Sequence, residues 1–460
     1  GISIPVNGSI SKNLSKPKYF SGEDILVDPD NTPDSVMILS NTISLNTSLR
    51  KTGKSDNRLV KYTLDNLSMN FSASQSRSSD VTYSEKWTES YTGKVDYNLS
   101  FGRSNYFRPL SWSEKIPLIG NTLSEFQLYY TPTSFKTGLN LSEKLNWNET
   151  RGGNKSPETY NFGLNRTLNL DYKLTNTLAS KYSWNGQSKL NEYRGYAWLA
   201  LKELDPGLIT QSSETFNTTY NPAIMKWLKP SFNYTASYRW SDDLTREGQN
   251  VSTQLRFGSN FTITPVQIIE FIYKPKSNVK KKGRTRGARS RSRNKSDVNS
   301  TSDGKSNAKF SPMNVVHGLF KKINPISISY TETLNRTANQ IIGDIPSGYK
   351  FGWLPDHGLE HSDEVGSNLG SWDHKRDGSI RSGIKLTRNI SFSTNFNQNL
   401  STTRSSTNLE QLSMTRDYIA YGELLNEGLP FPGWSIRFTG LERWPLINRI
   451  AKSASMEHSF

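Results

Sequence analysis

The sequence predicts an all-β protein, a large antiparallel transmembrane β-barrel or a segment of one, with long polar loops and a few short helices. The first ground is alternation. From Val251 to Ile263 every second residue is apolar, aromatic or small (Val251, Thr253, Leu255, Phe257, Ser259, Phe261, Ile263), and those between are polar or glycine. A period of two places one side of an extended strand against an apolar medium and the other against water. The second is composition. Only 33% of residues are hydrophobic and mean hydropathy is -0.67, yet 11% are aromatic. That balance is poor material for a deep soluble core, is not that of a disordered chain, and suits a sheet with one apolar face. The third is that no run approaches 18 apolar residues, which excludes a transmembrane helix but not a barrel strand.

The same grammar recurs along the chain. It runs through Ile43, Leu45, Thr47, Leu49; Leu67, Met69, Phe71, Ala73; Val95, Tyr97, Leu99, Phe101; and Thr137, Leu139, Leu141. Phe162 to Leu174 forms a longer segment interrupted by Arg166, and Phe232, Tyr234, Ala236, Tyr238, Trp240 is the clearest aromatic case. Ile326 to Tyr330, Ile380 to Leu386, Ile390 to Phe396 and Trp434 to Phe438 complete the series. Strands of about ten residues at spacings of about 20 to 35 are expected, some 14 to 18 in all, ten residues being the length that crosses a bilayer at a barrel tilt. The polar stretches Ser74–Glu89 and Asn399–Asp417 extend strands beyond a bilayer or form loops. Helix-like pieces fall at Ala223–Leu228, Val315–Lys322 and Trp444–Lys452, each near a proline. Trp87, Trp112, Trp147, Trp184, Trp240 and Trp372, near strand ends, favour interfacial girdles over a soluble core.

Charge is unevenly placed. Net charge is +16, but Lys274 to Lys295 holds eleven Lys and Arg and no acid, leaving +5 elsewhere. Residues 274–308 therefore read as a basic, polar loop insertion between two strand-rich parts, 1–273 and 309–460. The run could attract phosphate, of nucleic acid or of lipid, but it has no interleaved aromatics for base stacking, so no specific nucleic acid is expected. Cysteine is absent, so neither disulfides nor thiolate metal sites can form. The start at Gly1 and the abrupt stop read as an excerpt or processed piece of something longer.

Motifs for covalent chemistry are scarce, and no enzyme is expected. Gly53-Lys54-Ser55 ends like a phosphate-binding loop, but position 48 is Ser48 where that motif needs glycine. No nucleophile elbow or zinc-protease helix motif occurs. Asp356, His357, Glu360, His361, Asp363 and Glu364, with Asp373 and His374 beyond, have the donors of a metal shell. Pro355 and Gly358 make a loop there instead, so a solvated polar loop is favoured and no metal, cofactor or catalytic site is expected.

Two stretches carry a resemblance. Leu429–Phe460, LPFPGWSIRFTGLERWPLINRIAKSASMEHSF, has a Pro-aromatic-Pro-x-Trp turn into a strand, a Gly-Leu, a short helix and a further strand. Lys61–Trp112 contains KYTLDNLSMNFSASQS and VDYNLSFGRSNYFRPLSW in strand–turn–strand order. Both resemble the SprA (Sov) family, the giant outer-membrane barrels of type IX secretion and gliding motility. They cover under a fifth of the chain, and the insertion Lys274–Ala308 departs from the family pattern. The resemblance implies part of an outer-membrane channel that exports folded cargo proteins. It also implies outer-membrane lipid, secreted cargo, and plug, gate and periplasmic subunits as partners. The alternative reading of the same residues is a secreted or surface-anchored β-rich adhesion protein without a pore.

Overall fold

A computed structural model describes residues 1–20, 22–115, 120–222, 225–273, 312–366, 368–405, 410–418, 422–423, 426–427 and 432–460. Its strands are β1 (Ile2–Ser3), β2 (Val6–Ser15), β3 (Ile38–Lys51), β4 (Leu67–Ser79), β5 (Tyr83–Ser100), β6 (Tyr106–Phe107), β7 (Leu128–Tyr129), β8 (Ser134–Thr150), β9 (Thr159–Lys173) and β10 (Leu178–Lys189). There follow β11 (Leu208–Tyr220), β12 (Leu228–Asp242), β13 (Gln249–Ile263), β14 (Ile326–Ile341), β15 (Gly370–Lys385), β16 (Ile390–Arg404), β17 (Gln411–Arg416), β18 (Gly422–Glu423), β19 (Asn426–Glu427), β20 (Gly433–Thr439) and β21 (Ser455–Ser459). Short helices lie in the connections: α1 (Arg58–Tyr62), α2 (Gly120–Ser124), α3 (Ala197–Glu203), α4 (Pro265–Ile272), α5 (Pro312–Phe320) and α6 (Ser347–Lys350).

Seventeen of these strands make one antiparallel sheet. It is a meander in which each long strand from β2 to β16 pairs with the next long strand in the chain. Strand β16 then carries β17 along its second half and β20 along its first, and β20 carries β21. At the other edge β1 and β2 both pair with β3. Pro5 separates them because it has no N–H to donate, though its carbonyl still accepts from Ser48 N–H at 3.3 Å. The parts 1–273 and 309–460 belong to this single sheet, since β13 pairs with β14. The insertion 274–308 lies outside the described residues.

The long strands from β3 to β16 exceed the ten residues expected, with β5 reaching 18 and β8 17. Polar stretches account for the excess: Ser74–Ser79 continues β4 and Tyr83–Glu89 begins β5, joined by a turn at 80–82. Of the long strands, β2, β10 and β11 were not legible from hydrophobic periodicity, and three connections, 80–82, 174–177 and 386–389, are tighter than expected. Of the helix-like pieces, Val315–Lys322 overlaps α5, whereas Leu228 opens β12 and residues 223–224 lie outside the described residues. Trp444–Lys452 forms successive turns, such as Ile447 N–H to Trp444 O at 3.0 Å, and no helix.

Buried apolar residues are few. One cluster joins Phe162, Leu164, Leu190 and Ala200, and another joins Tyr238, Val251, Ala338, Ile341 and Tyr349. Both sit toward the end of the sheet bearing the turns 80–82 and 243–248, here called the upper end. The turns 174–177 and 386–389 mark the lower end.

Candidate functional site

Cross-strand register sorts the side chains of the whole sheet onto two faces. Directly paired residues share a face, and successive residues alternate. One face, followed from β2 to β21, carries Ile10, Ile43, Phe71, Val95, Leu139, Leu168, Phe216, Tyr234, Phe257, Ile328, Ile380, Phe396 and Ile436. Along the regularly paired parts, the other face carries Ser, Thr, Asn, Gln, Gly and charged residues, with Ile38 and Ala179 the apolar exceptions. No slip of register mixes the two, because a shift of one residue would carry every apolar group to the wrong side.

The apolar residues form a band that runs obliquely across the hydrogen-bonded rows. The row through Leu139 passes Arg166, Gly186, Ser212, Trp240, Val251 and Ala338, and reaches β15 at Gly370. The apolar residues of β15, Ile380 and Ile384, lie ten and more residues further down that strand. Seven strand-to-strand steps thus carry a displacement of about 1.4 residues each. With strands about 4.8 Å apart and a rise of about 3.4 Å per residue, the band is level only if the strands lean by about 45°. Barrel strands tilt by about 35–45°.

Aromatic residues mark the band's margins. Trp87 and Trp147 stack with ring centroids 6.3 Å apart on the upper side, where Trp240 also lies. Tyr97, Tyr172 and Tyr220 line the lower side. Trp372 sits further up, at the start of β15, and Trp184 lies inside the band beside Tyr182, so neither marks its edge. Trp112 is exposed in the lower connection 101–133. Much of the band is uncovered, with Phe71 44% and Ile380 45% exposed.

The polar face is knitted by cross-strand hydrogen bonds among short side chains. Ser9 and Ser44 are 2.7 Å apart, Ser329 and Ser379 2.6 Å, and Ser393 and Ser435 2.7 Å. Gln254 donates to Asn335 Oδ1 at 2.9 Å, and Asn335 donates to Asp373 Oδ2 at 3.2 Å. Some of its cations pair locally with acids, as in Lys94–Asp96 and Lys375–Asp373, both at 3.0 Å. Open hollows on this face are bordered by such groups, one of about 540 Å³ by Asn185, Gln187, Arg239, Asn250 and Thr337.

Residues 342–366 fold back as a collar over the upper part of the apolar face on β11 to β14. Lys350 Nζ binds Glu214 at 3.0 Å and lies over the Tyr238 ring, while Tyr234 OH donates to the Phe351 carbonyl. Arg336 donates to the Leu354 carbonyl at 3.1 Å. Gly352, at φ +79°, sits directly on the Leu255 side chain, where a Cβ would collide. Leu255 is therefore packed under the collar, unlike its neighbour Phe257, which remains open.

The acid–histidine cluster lies mostly in this collar. His357 and His361 meet edge to face at 5.5 Å, but each is otherwise engaged. His361 Nδ1 donates to the Asn339 carbonyl at 2.7 Å, and His357 Nδ1 accepts from Leu359 N–H at 3.1 Å. Burial holds the His357 imidazole below its ordinary pKa, assisted by His361 and opposed by Asp356. Asp373 and His374 are on opposite faces of β15, bonded to Lys375 and Glu332 respectively. Among the described residues no group of three or more such donors is placed to hold a metal.

Gly53-Lys54-Ser55 lies in the lower connection after β3. A one-turn helix, α1, does follow, capped by Asn57 Oδ1 on Leu59 N–H at 2.9 Å. The Ser55 N–H, however, is taken by Asp65 at 2.7 Å. Asp65 also accepts from Lys51, and that bond with the Ser55 contact lowers its carboxyl pKa. The anion of this loop is the chain's own carboxylate.

No protein-family model matches the chain, and no curated protein matches it. Among solved structures it is similar to the siderophore receptor PirA from Pseudomonas aeruginosa, with 10% identity and a TM-score of 0.30. The match covers 92% of this chain and 65% of that receptor. A likeness of that size does not separate one large β architecture from another.

Proposed function

We propose that this chain forms part of the wall of an outer-membrane β-barrel that conducts secreted proteins, with the apolar band toward lipid and the polar face toward a water-filled lumen. The observation that carries the reading is the oblique band: one face is apolar along a line that becomes level at barrel tilt, and the other is polar but for Ile38 and Ala179. Lipid needs every backbone group paired internally, which a continuous antiparallel meander supplies along its length. Polar lumen residues opposite an apolar outer belt are what a transmembrane barrel requires.

The export role rests on the resemblance of Lys61–Trp112 and Leu429–Phe460 to the SprA family. It brings with it folded cargo as substrate, and plug, gate and periplasmic subunits as partners. The mechanism is passive: no side chain performs covalent chemistry, and the driving energy is supplied by another component. A surface adhesion protein would need a second layer over the band, and the collar covers only its upper part on four strands.

The absence of native cysteine gives a clean test. Single cysteines at Ser252, Gln254 and Ser329 should react with a membrane-impermeant maleimide that has access to both sides of the membrane in the full protein. Cysteines at Phe257, Phe261 and Ile328 should be protected there and become reactive in detergent. Equal labelling of the two sets in intact membranes would overturn the lipid-facing assignment. Crosslinking from the Gln254 position to cargo in transit tests the export role separately, and capture of no cargo during active secretion would sink it.

A further inference from the structure

The apolar band ends at the lower margin with Ile263 on β13 and Ile326 on β14, paired with each other. Between these strands in sequence come α4 and α5, which pack together. His317 Nε2 lies 3.2 Å from Glu270 Oε1, and Tyr273 OH donates to Asn314 Oδ1 at 3.0 Å. The pair is tied to the lower rim from both sides: Thr264 N–H donates to the Trp227 carbonyl at 2.8 Å, and Asn324 N–H to the Gly383 carbonyl at 2.8 Å. This places the two helices where strands leave the band.

Their outward side chains are wrong for water. Phe271 is 60%, Ile272 72%, Val315 48% and Leu319 57% exposed, and Val315 and Leu319 share a helical side at i, i+4. Around the pair stand Lys226, Lys321, Lys322 and Arg388, all exposed. None is in an ion pair among the described residues, and the acid on the helix pair, Glu270, is occupied by His317. Exposed apolar groups flanked by uncompensated cations match the boundary between acyl chains and anionic headgroups.

We propose that the α4–α5 pair, with these cations, is an interfacial anchor that seats the lower rim of the sheet in the headgroup layer of an anionic leaflet. The inference rests on the membrane reading above and adds where, and by which lipid chemistry, the wall is held. Phe271, Ile272, Val315 and Leu319 enter the outer acyl region, and the four cations meet lipid phosphates.

The test uses the full protein reconstituted in phosphatidylcholine vesicles with or without phosphatidylglycerol, containing brominated acyl chains as quencher. An environment-sensitive fluorophore is attached in turn at Leu319→Cys and, as the reference for the band, at Phe257→Cys. The anchor requires the Leu319 probe to be quenched, with quenching about twofold stronger when phosphatidylglycerol is present. Replacing the four cations by Gln should remove that difference while leaving the Phe257 probe unchanged. Quenching at Phe257 without quenching at Leu319 overturns the anchor and leaves the membrane wall standing. No quenching at either site overturns the membrane reading itself. Quenching at Leu319 that ignores phosphatidylglycerol overturns the anionic part of the assignment.

Discussion

Arg256 and Phe257 are neighbours in β13 that meet opposite surroundings, because alternation sends one to each face. Phe257 stands open on the band, so Phe257→Arg should cost about 2–4 kcal/mol of membrane assembly. Arg256→Ser, on the polar face, should be nearly silent. Folded yield in detergent-refolding titrations reads both, and equal tolerance would remove the band from lipid. Leu255 shows where sequence alone misleads at this scale. Its parity places it on the band correctly, yet Gly352, almost a hundred residues on, covers it. A Leu255→Arg substitution would therefore report on collar packing rather than on lipid.

At the scale of elements, the collar carries a pH dependence. His357 is held neutral by burial, so its folded pKa lies below its unfolded value. Its contribution is fully present above about pH 6.5, the unfolded value, and is lost as pH falls through the folded one. Amide protection factors at residues 349–362, corrected for the intrinsic pH dependence of exchange, should fall on acidification, and His357→Gln should flatten that response. Strand β15 supplies a second prediction at its entry. Gly370 has φ +130°, and a Cβ there would run into the Thr337 carbonyl oxygen. Gly370→Ala should cost about 1–3 kcal/mol and free the Ala338–Gly370 end of the ladder to exchange. Gly378→Ala, with open space at its Cβ, should not. The elements also show what periodicity can and cannot reveal. β13 and β12 were legible because aromatic and aliphatic residues fill their outer positions. β11 was not, because Ser212, Glu214 and Thr218 alternate with Phe216 and Tyr220 and leave too weak an apolar period. The upper half of β4 was obscure for the same reason, with Gln75, Arg77 and Ser79 on its outer face, and in β5 Glu85 and Glu89 interrupt Tyr83, Trp87 and Tyr91.

For the whole molecule, class and strand number followed from the sequence, with 17 strands where 14 to 18 were expected. The obliquity of the band could not, since it exists only once registers between strands are fixed. The candidate site divides likewise. The outer face was readable as alternation, but the hydroxyl and amide knitting of the inner face needs cross-strand neighbours such as Ser329 and Ser379, 50 residues apart. The meander ends in two unpaired edges among the described residues, β2 exposed at every position and β21 likewise. Val6, Ile10 and Leu14 repeat the apolar period along the first of these. A bare alternating edge invites another strand, so the sheet as described is built to continue into one.

The polar face has a consequence for anything drawn along it. Serines already bonded across strands, such as Ser329 with Ser379, offer a passing polypeptide no better partner than water does. They also offer no greasy foothold for an exposed apolar segment. Under the export reading, such a lining neither grips nor sorts its traffic, much as a glazed pipe is indifferent to what it carries. Selection and direction then belong to whatever stands at the two mouths.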